Sequence, residues 1–508
     1  MNIAHSLERA RQLFPTKTAL IFEGKSFSYK DLDSMANRIA NGLHGLGVRR
    51  GDRVALFLPN IPEFVISYLG IQKIGAVAVS LNVMLKSDEV KFILCDCSAK
   101  IVITTEELSE NVPDRDLPDL KHILVAEGRT SKGISLEQLL ASASPNARAL
   151  EMKRNEPVAI IYTSGTTGFP KGATLSHGNV IFNNYTSRHY YNLQPDDRLL
   201  LYLPLFHCFG QNAILNSGLS AGSTIILQHK FAPEKVLKTI DSYRVTKFFG
   251  VPTVFIKLLD MNTFGYDLSS VRSYFTAAAS MPAAVVQRWQ ERHGFVILEG
   301  YGLTETSPFA SFNHDLKYKL GSIGTPVQNV EIKVVNLDGQ EVAPGELGEI
   351  VIHGPNVMLG YWNRPFETAQ ALKNGWFHTG DIGQMDDEGY FYVVDRLKDM
   401  INVSGFKVYS TEVENVIYKH SAVAEVAVYG VPDRLKGEIV KANIVLKPGQ
   451  AIAEDEIIAF CSERIAKYKI PHTFKFVDSI PKNATGKVLK RLLREEELSS
   501  SSQYLVKA

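Results

Sequence analysis

Ile160-Ile-Tyr-Thr-Ser-Gly-Thr-Thr-Gly-Phe-Pro-Lys-Gly172 begins as an apolar strand and breaks into a loop with three glycines, four Ser/Thr hydroxyls and one lysine. Glycines let backbone N–H groups close on phosphate oxygens, hydroxyls add donors, and Lys171 supplies charge, which is how a phosphate cradle is built. The G-x-x-x-x-G-K-[ST] spacing is missing, so a P-loop kinase or NTPase is disfavoured. A surface turn has the same composition. Taken alone, the segment leaves both readings open.

Working outward, the strand at 158–162 is one of a series of short apolar runs, at 53–58, 76–81, 101–104, 122–125, 224–228, 247–251 and 295–298. Helical patterns lie between some of them. Leu32, Met35, Ala36, Ile39 and Leu43 recur at helical spacing behind a Ser28-x-x-Asp31 start, and residues 233–243 form another such pattern. Strands alternating with helices predict parallel strands with crossover helices, hence an α/β body to about residue 330. Between 331 and 403 the texture changes to short alternating runs with turn signals at Asp338-Gly339 and Glu388-Gly389, which predicts hairpins or a small barrel. Beyond about 398 the pattern predicts a small α+β unit. It has a helix behind a Thr411-x-x-Glu414 capping box, strands at 423–428, 439–446 and 473–477, and a helix over 454–468. The tail from Ser499 reads as frayed.

Composition narrows the function. At 508 residues, 45% hydrophobic and 21% charged, the chain is long enough for several domains of roughly 150 residues. Lys+Arg number 55 against 54 Asp+Glu, a formal net charge of +1, so no global field holds nucleic acid or an anionic membrane. The apolar stretch 54–85 is interrupted by Pro59, Pro62, Glu63 and Lys73, whereas a span needs about 20 uninterrupted apolar residues. No integral membrane association is expected. Residues 1–20 carry Glu8, Arg9, Arg11 and Lys17 and show no signal-peptide core, and the C-terminal Val-Lys-Ala is no peroxisomal address. Cys95, Cys97, Cys208 and Cys461 form no zinc-like set and read as reduced, buried thiols of a cytoplasmic protein.

Four later segments remove the ambiguity of the glycine loop: Glu299-Gly-Tyr-Gly-Leu-Thr-Glu305, Gly375-Trp-Phe-His-Thr-Gly-Asp381, Asp395-Arg-Leu-Lys-Asp399 and Pro481-Lys-Asn-Ala-Thr-Gly-Lys487. In this order, and with the glycine loop, they resemble the adenylate-forming superfamily of acyl-CoA synthetases, luciferases and peptide-synthetase adenylation domains, over nearly the whole chain. The resemblance implies an ATP-dependent acid-thiol ligase needing Mg2+. A carboxylate resists a thiol because it is anionic and would have to expel oxide. Attack on the α-phosphorus of ATP makes that oxygen part of AMP, a good leaving group.

The resemblance also implies an adenylation domain over 1–397 and a small mobile α+β domain over 398–508, hinged at Lys398. It places Thr163, Ser164, Gly165, Thr166, Thr167, Gly168 and Lys171 on the β and γ phosphates and Thr304 on the α-phosphate. Glu305 would hold Mg2+, to which a hard carboxylate oxygen is suited. Asp381 and Arg396 would take the ribose. Tyr301 would lie against the adenine, with Ala278 near its edge and Glu299, Gly300 and Gly302 completing the nucleotide motif. Lys487 would bridge the acid and the α-phosphate, so Lys487, Thr304 and Glu305 form the expected catalytic set.

Phe206, His207 and Ala279 are expected at the acyl site, and Gly405 and Lys407 along the thiol tunnel. Phe206-His207 with Phe209-Gly210-Gln211, and Glu299-Gly-Tyr-Gly302, look most like fatty acyl-CoA synthetases, which implies a medium- or long-chain acid and CoA. A fatty acyl-AMP ligase that loads a carrier-protein phosphopantetheine, an aryl acid-CoA ligase and a luciferase-like oxygenase share these residues. A nucleotide-binding protein without catalysis is disfavoured by intact Glu305, Asp381, Arg396 and Lys487. For His207 the bland alternative is a satisfied core histidine, and the Thr276-Ala-Ala-Ala-Ser280 run departs from the glycine-containing version common in relatives.

Overall fold

A computed structural model describes residues 1–127, 132–163, 170–433, 435–483 and 486–505, with side chains as far as residue 497. Two large sheets form the body. One has eight strands in the order Gly360–Tyr361, Lys171–Ser176, Pro157–Thr163, Val77–Ser80, Arg53–Phe57, Ala99–Thr104, His122–Val125, Ile134–Ser135. It is parallel from Pro157–Thr163 onward and antiparallel across its first two pairings. The other has nine strands in the order Thr325–Pro326, Phe309–Phe312, Ile297–Gly302, Ser273–Thr276, Lys247–Gly250, Arg198–Leu201, Thr224–Leu227, Thr18–Phe22, Lys25–Ser28. Its six central strands are parallel, and antiparallel strands close both edges. Apolar runs such as 53–57 become central strands because nearly every side chain on them is buried on one face or the other.

The helix Tyr29–Gly45 starts as predicted, with Ser28 accepting the Asp31 amide and Asp31 accepting the Ser28 amide at 3.0 Å. Helix Pro62–Lys73 packs against it so closely that a Cβ on Gly70 would lie 2.4 Å from Ile39 Cγ2. This helix ends in a fully buried cation. The Lys73 ammonium lies 2.7 Å from Glu8 and 2.8 Å from Asp33, tying the N-terminal helix His5–Leu13 to this pair. Among the described residues no helix is long and apolar enough to cross a membrane.

The β-rich end is a five-stranded sheet of Glu331–Val335, Gly348–His353, Trp376–Met385 and Leu372–Lys373, with Phe391–Arg396 on Trp376–Met385. All its pairings are antiparallel. Glu388-Gly389 turns the Trp376–Met385 hairpin, while Asp338-Gly339 lies in the longer connection before Gly348–His353. Among the described residues no pairing closes this sheet into a barrel. The C-terminal α+β unit carries Ile401–Val403, Phe406–Val408, Val423–Asp433, Gly437–Leu446 and Thr473–Phe476 and has its own core, including Val413, Ile417, Val428, Ile444 and Ile457. The fold class is the expected one.

Three local expectations need correction. The Thr411-x-x-Glu414 capping box does not form. A carboxylate from the preceding strand takes its place: buried Asp395 accepts the Ser410 amide, the Ser410 hydroxyl at 2.9 Å and the Thr411 amide at 3.4 Å. Glu414 instead accepts the Val428 amide at 2.7 Å and pairs with Lys490 at 2.7 Å. The helix expected over 454–468 stops at Ser462, and a 3-10 turn Lys467–Lys469 comes after it. The serine-rich tail continues the helix Lys490–Leu505.

Truncating Lys73 to Ala removes the nearer of the two cations on buried Asp33, leaving only Arg11 Nε at 3.5 Å, a loss of up to about 3–5 kcal/mol locally. K73A should therefore melt well below the parent in differential scanning calorimetry.

Candidate active site

The C-terminal ends of parallel strands are where open α/β sheets bind ligands. Strands Ser273–Thr276 and Ile297–Gly302 are parallel neighbours in the nine-stranded sheet, and their carboxyl ends lead into the 277–281 loop and the Thr304–Thr306 turn. Tyr301, at the end of its strand, donates to Asp381 Oδ2 at 2.7 Å. Asp381 is 3% exposed and faces Arg396 as its cross-strand partner, with Arg396 Nε 3.0 Å from Asp381 Oδ1. Three motifs that are far apart in sequence thus meet at one carboxylate.

Thr304 Oγ1 lies 3.4 Å from Cys208 Sγ, whose thiol is pushed up to about 12 by burial and stays neutral. Glu305 is buried, and that burial raises its pKa. One of its oxygens accepts the Tyr361 hydroxyl at 2.9 Å. Among the described residues no group of three or more His, Cys, Asp or Glu side chains is placed to hold a metal. A lone hard oxygen donor fits Mg2+ that arrives with phosphates and keeps its waters, and does not fit a resident metal.

The phosphate-loop candidate is described at its two ends only. Thr163 and Lys171 are antiparallel partners, with the Thr163 hydroxyl 3.4 Å from the Lys171 carbonyl. Ser164, Gly165, Thr166, Thr167 and Gly168 lie outside the described residues. The Lys171 ammonium stands 5.5 Å from the centroid of the Tyr361 ring.

Lys487 comes from the small unit and is pressed onto the body. Gly486 holds φ +82°, and a Cβ there would meet Thr253 Oγ1 at 2.8 Å. The Lys487 amide donates to Asn483 Oδ1 at 2.8 Å. Its ammonium pKa is lowered to about 7 by burial first, then by Arg396 and Lys398, against the opposing pull of Asp381 and Asp399. Lys398, in the turn Leu397–Asp399, is lowered by burial and by Arg396. Arg396, Lys398 and Lys487 thus share their electrostatic surroundings with Asp381, Asp399 and Glu305, and Asp399 also pairs with Arg494 at 3.1 Å.

His207 is brought near Lys487, and burial with that lysine lowers its pKa to about 4. It is neutral at pH 7, and its Nδ1 accepts the Phe209 amide at 3.2 Å. Phe206 is partly buried against the main core. The chain then enters a π-helix, Phe209–Asn216, which no sequence periodicity announced. It is lined with buried polar groups: Gln211 donates to Ser80 Oγ at 2.8 Å and Asn216 to the Tyr68 hydroxyl at 3.0 Å.

In the 277–281 loop Ala278 has φ +74°, a strained conformation for a residue with a Cβ, and Ala279 is next in the chain. Glu299 anchors the loop by accepting the Met281 amide at 3.3 Å, and its burial raises its pKa to about 8. Gly300 and Gly302 complete the strand, and a Cβ on Gly302 would overlap the Pro308 carbonyl. Gly405, φ +89°, and Lys407 are exposed on the hairpin of Ile401–Val403 with Phe406–Val408, whose Ile401, Val403 and Val408 are buried in the core of the small unit. Tyr361 and Thr253 escaped the sequence reading, because a two-residue strand and a single helical threonine carry no pattern of their own.

Comparison with known proteins matches residues 7–362 to the AMP-binding enzyme family and residues 412–487 to the AMP-binding enzyme C-terminal domain. A long-chain-fatty-acid–CoA ligase of Bacillus subtilis (strain 168) is 37% identical, covering 95% of this chain and 92% of its own. A feruloyl-CoA synthase of Amycolatopsis sp is 38% identical, covering 96% and 97%. Among solved structures, an anthranilate CoA ligase in complex with anthranoyl-AMP superposes with TM-score 0.93 at 32% identity, covering 99% of this chain and 98% of that one.

A folded-state carboxyl raised to about 8 binds a proton that the unfolded chain releases near 4.5, so Glu299 contributes stability at low pH that is lost as pH rises through about 8. Glu299→Gln removes this dependence. The melting temperature of E299Q relative to the parent should climb between pH 5 and pH 8 and level off above; a constant offset would contradict the neutral-acid assignment.

Proposed function

The chain belongs to the AMP-binding enzyme family and is an acyl-CoA ligase that works through an acyl adenylate with ATP, Mg2+ and CoA, and on that premise we propose that its acid is a medium- or long-chain fatty acid. One observation carries the substrate reading. The segment that flanks Lys487 and Thr304 offers Phe206, Phe209 and a neutral His207 and no charged side chain, which suits an alkyl chain with its carboxylate turned toward Lys487. The Bacillus subtilis relative agrees with it. A second reading, an aryl acid, is favoured by the aromatic rings of the same segment and by the feruloyl-CoA synthase relative.

In this reading residues 1–397 bind acid and nucleotide, and 398–508 bring Lys487. Thr163, residues 164–168 and Lys171 take the β and γ phosphates, and Thr304 takes the α-phosphate. Glu305 would hold Mg2+, which neutralises phosphate charge when bound. Asp381, already oriented by Arg396, accepts the ribose hydroxyls in place of Tyr301, whose ring then lies beside the adenine with the Ala278 backbone at its edge. Arg396, Lys398 and Lys487 gather around Asp381 and can serve a polyanion as partners. Lys487, depressed to about 7 without one, regains its proton beside phosphate and carboxylate and stabilises the charge that develops between them. Turning about Lys398 would withdraw it and bring the Gly405 and Lys407 hairpin to the thiol.

The test incubates the protein with ATP, Mg2+, CoA and short, medium, long and aromatic acids, with acyl-AMP and acyl-CoA read by mass spectrometry. Preferential acyl-CoA from medium or long chains supports the proposal. Preference for aryl acids replaces it with the second reading, and acyl-AMP without acyl-CoA points to a carrier-protein thiol. Lys487→Ala should lower adenylation about 10²- to 10³-fold, while thioester formation from preformed acyl-AMP largely survives. Equal loss in both half-reactions, measured separately, would refute that assignment.

A further inference from the structure

Tyr361 touches two groups that stand far apart in sequence. Its hydroxyl donates to Glu305 at 2.9 Å, and its ring lies under the Lys171 ammonium at 5.5 Å from the centroid, within the range of a cation–π contact. The backbone around it is fixed at almost every position. Met358 N–H donates to the Glu305 carbonyl at 2.8 Å, Leu359 N–H to the Thr174 carbonyl at 2.9 Å and Trp362 N–H to the Gly172 carbonyl at 2.7 Å. The Tyr361 amide donates to Thr368 Oγ1 at 2.9 Å. Residues 358–362 are thus a strap that joins the turn carrying Glu305 to the strand carrying Lys171.

We propose that Tyr361 is a positioning residue that presets the Glu305 carboxylate and the Lys171 ammonium at their separation, so that magnesium-bound polyphosphate meets both groups already in place. The proposal rests on the metal and phosphate roles assigned above to Glu305 and Lys171. Among the described residues Glu305 has no lysine or arginine within ion-pair distance. A buried carboxylate without a cation is held in one orientation only by its donors, and the Tyr361 hydroxyl is the side-chain donor it has. Removing the hydroxyl frees the carboxylate to rotate, and removing the ring also frees Lys171.

The test is direct calorimetric binding of ATP, with Mg2+ titrated or with the metal chelated, on the parent, Tyr361→Phe and Tyr361→Leu. Loss of a hydrogen bond to a charged group predicts that Y361F needs about tenfold more free Mg2+ for half-maximal ATP binding. Its metal-free ATP affinity should equal the parent's. Y361L should in addition weaken metal-free ATP binding about threefold, the loss of a cation–π contact. In a Glu305→Gln background, Y361F should have no further effect on the Mg2+ requirement. An unchanged Mg2+ requirement in Y361F overturns the proposal, as does an equal loss with and without metal, or an undiminished Y361F effect beside E305Q. A lowered melting temperature without a shift in Mg2+ dependence reduces Tyr361 to a structural strut. Binding needs no acid substrate, so a parent that binds ATP with Mg2+ but adenylates no acid fails the functional reading alone, and an active parent with an indifferent Y361F fails this inference alone.

Discussion

A single carboxylate organises the centre of the molecule. Asp381 sits on the antiparallel sheet, takes a hydrogen bond from Tyr301 on the nine-stranded sheet and an ion pair from Arg396 on its own hairpin, and is almost wholly buried. Burying a charge is costly unless it is paired and hydrogen-bonded, so each of its partners must be delivered to one point. That requirement relates the two sheets to each other and leaves the carboxylate oriented toward the site.

The same constraint extends to the small unit. Arg396 lies immediately before the turn Leu397–Asp399, and its neighbour Asp395 caps the helix Ser410–Ile417 through the Ser410 and Thr411 amides. One residue of the strand faces Asp381 while the one before it holds the helix Ser410–Ile417. Lys487 then returns to the same cluster on a glycine turn seated against Thr253. Burial together with Arg396 and Lys398 holds the Lys487 pKa down there, a local charge arrangement inside a chain of near-neutral overall charge.

The strap at 358–362 shows how irregular backbone serves a site. Its two-residue strand Gly360–Tyr361 is the edge of the eight-stranded sheet, and one of its side chains reaches both the Glu305 turn and the Lys171 strand. The π-helix Phe209–Asn216 is likewise a short departure from regular geometry, next to Cys208, which contacts Thr304.

The sequence alone determined whatever is local or repeated. Apolar runs marked the strands, the Ser28–Asp31 pair the helix start, and the five ordered motifs the chemistry, because alternation, capping and glycine turns are written within a few residues of themselves. Where a stronger partner lay elsewhere in the chain, local signals misled: the Thr411–Glu414 box gave way to Asp395 and Lys490. Only the tertiary structure decided that Tyr301, Asp381, Arg396, Lys398 and Lys487 share one enclosure, that Glu299 is held as a neutral acid, and that Tyr361 spans Glu305 and Lys171. Those properties depend on burial and on distances between residues far apart along the chain, and neither quantity is carried by any short stretch of sequence.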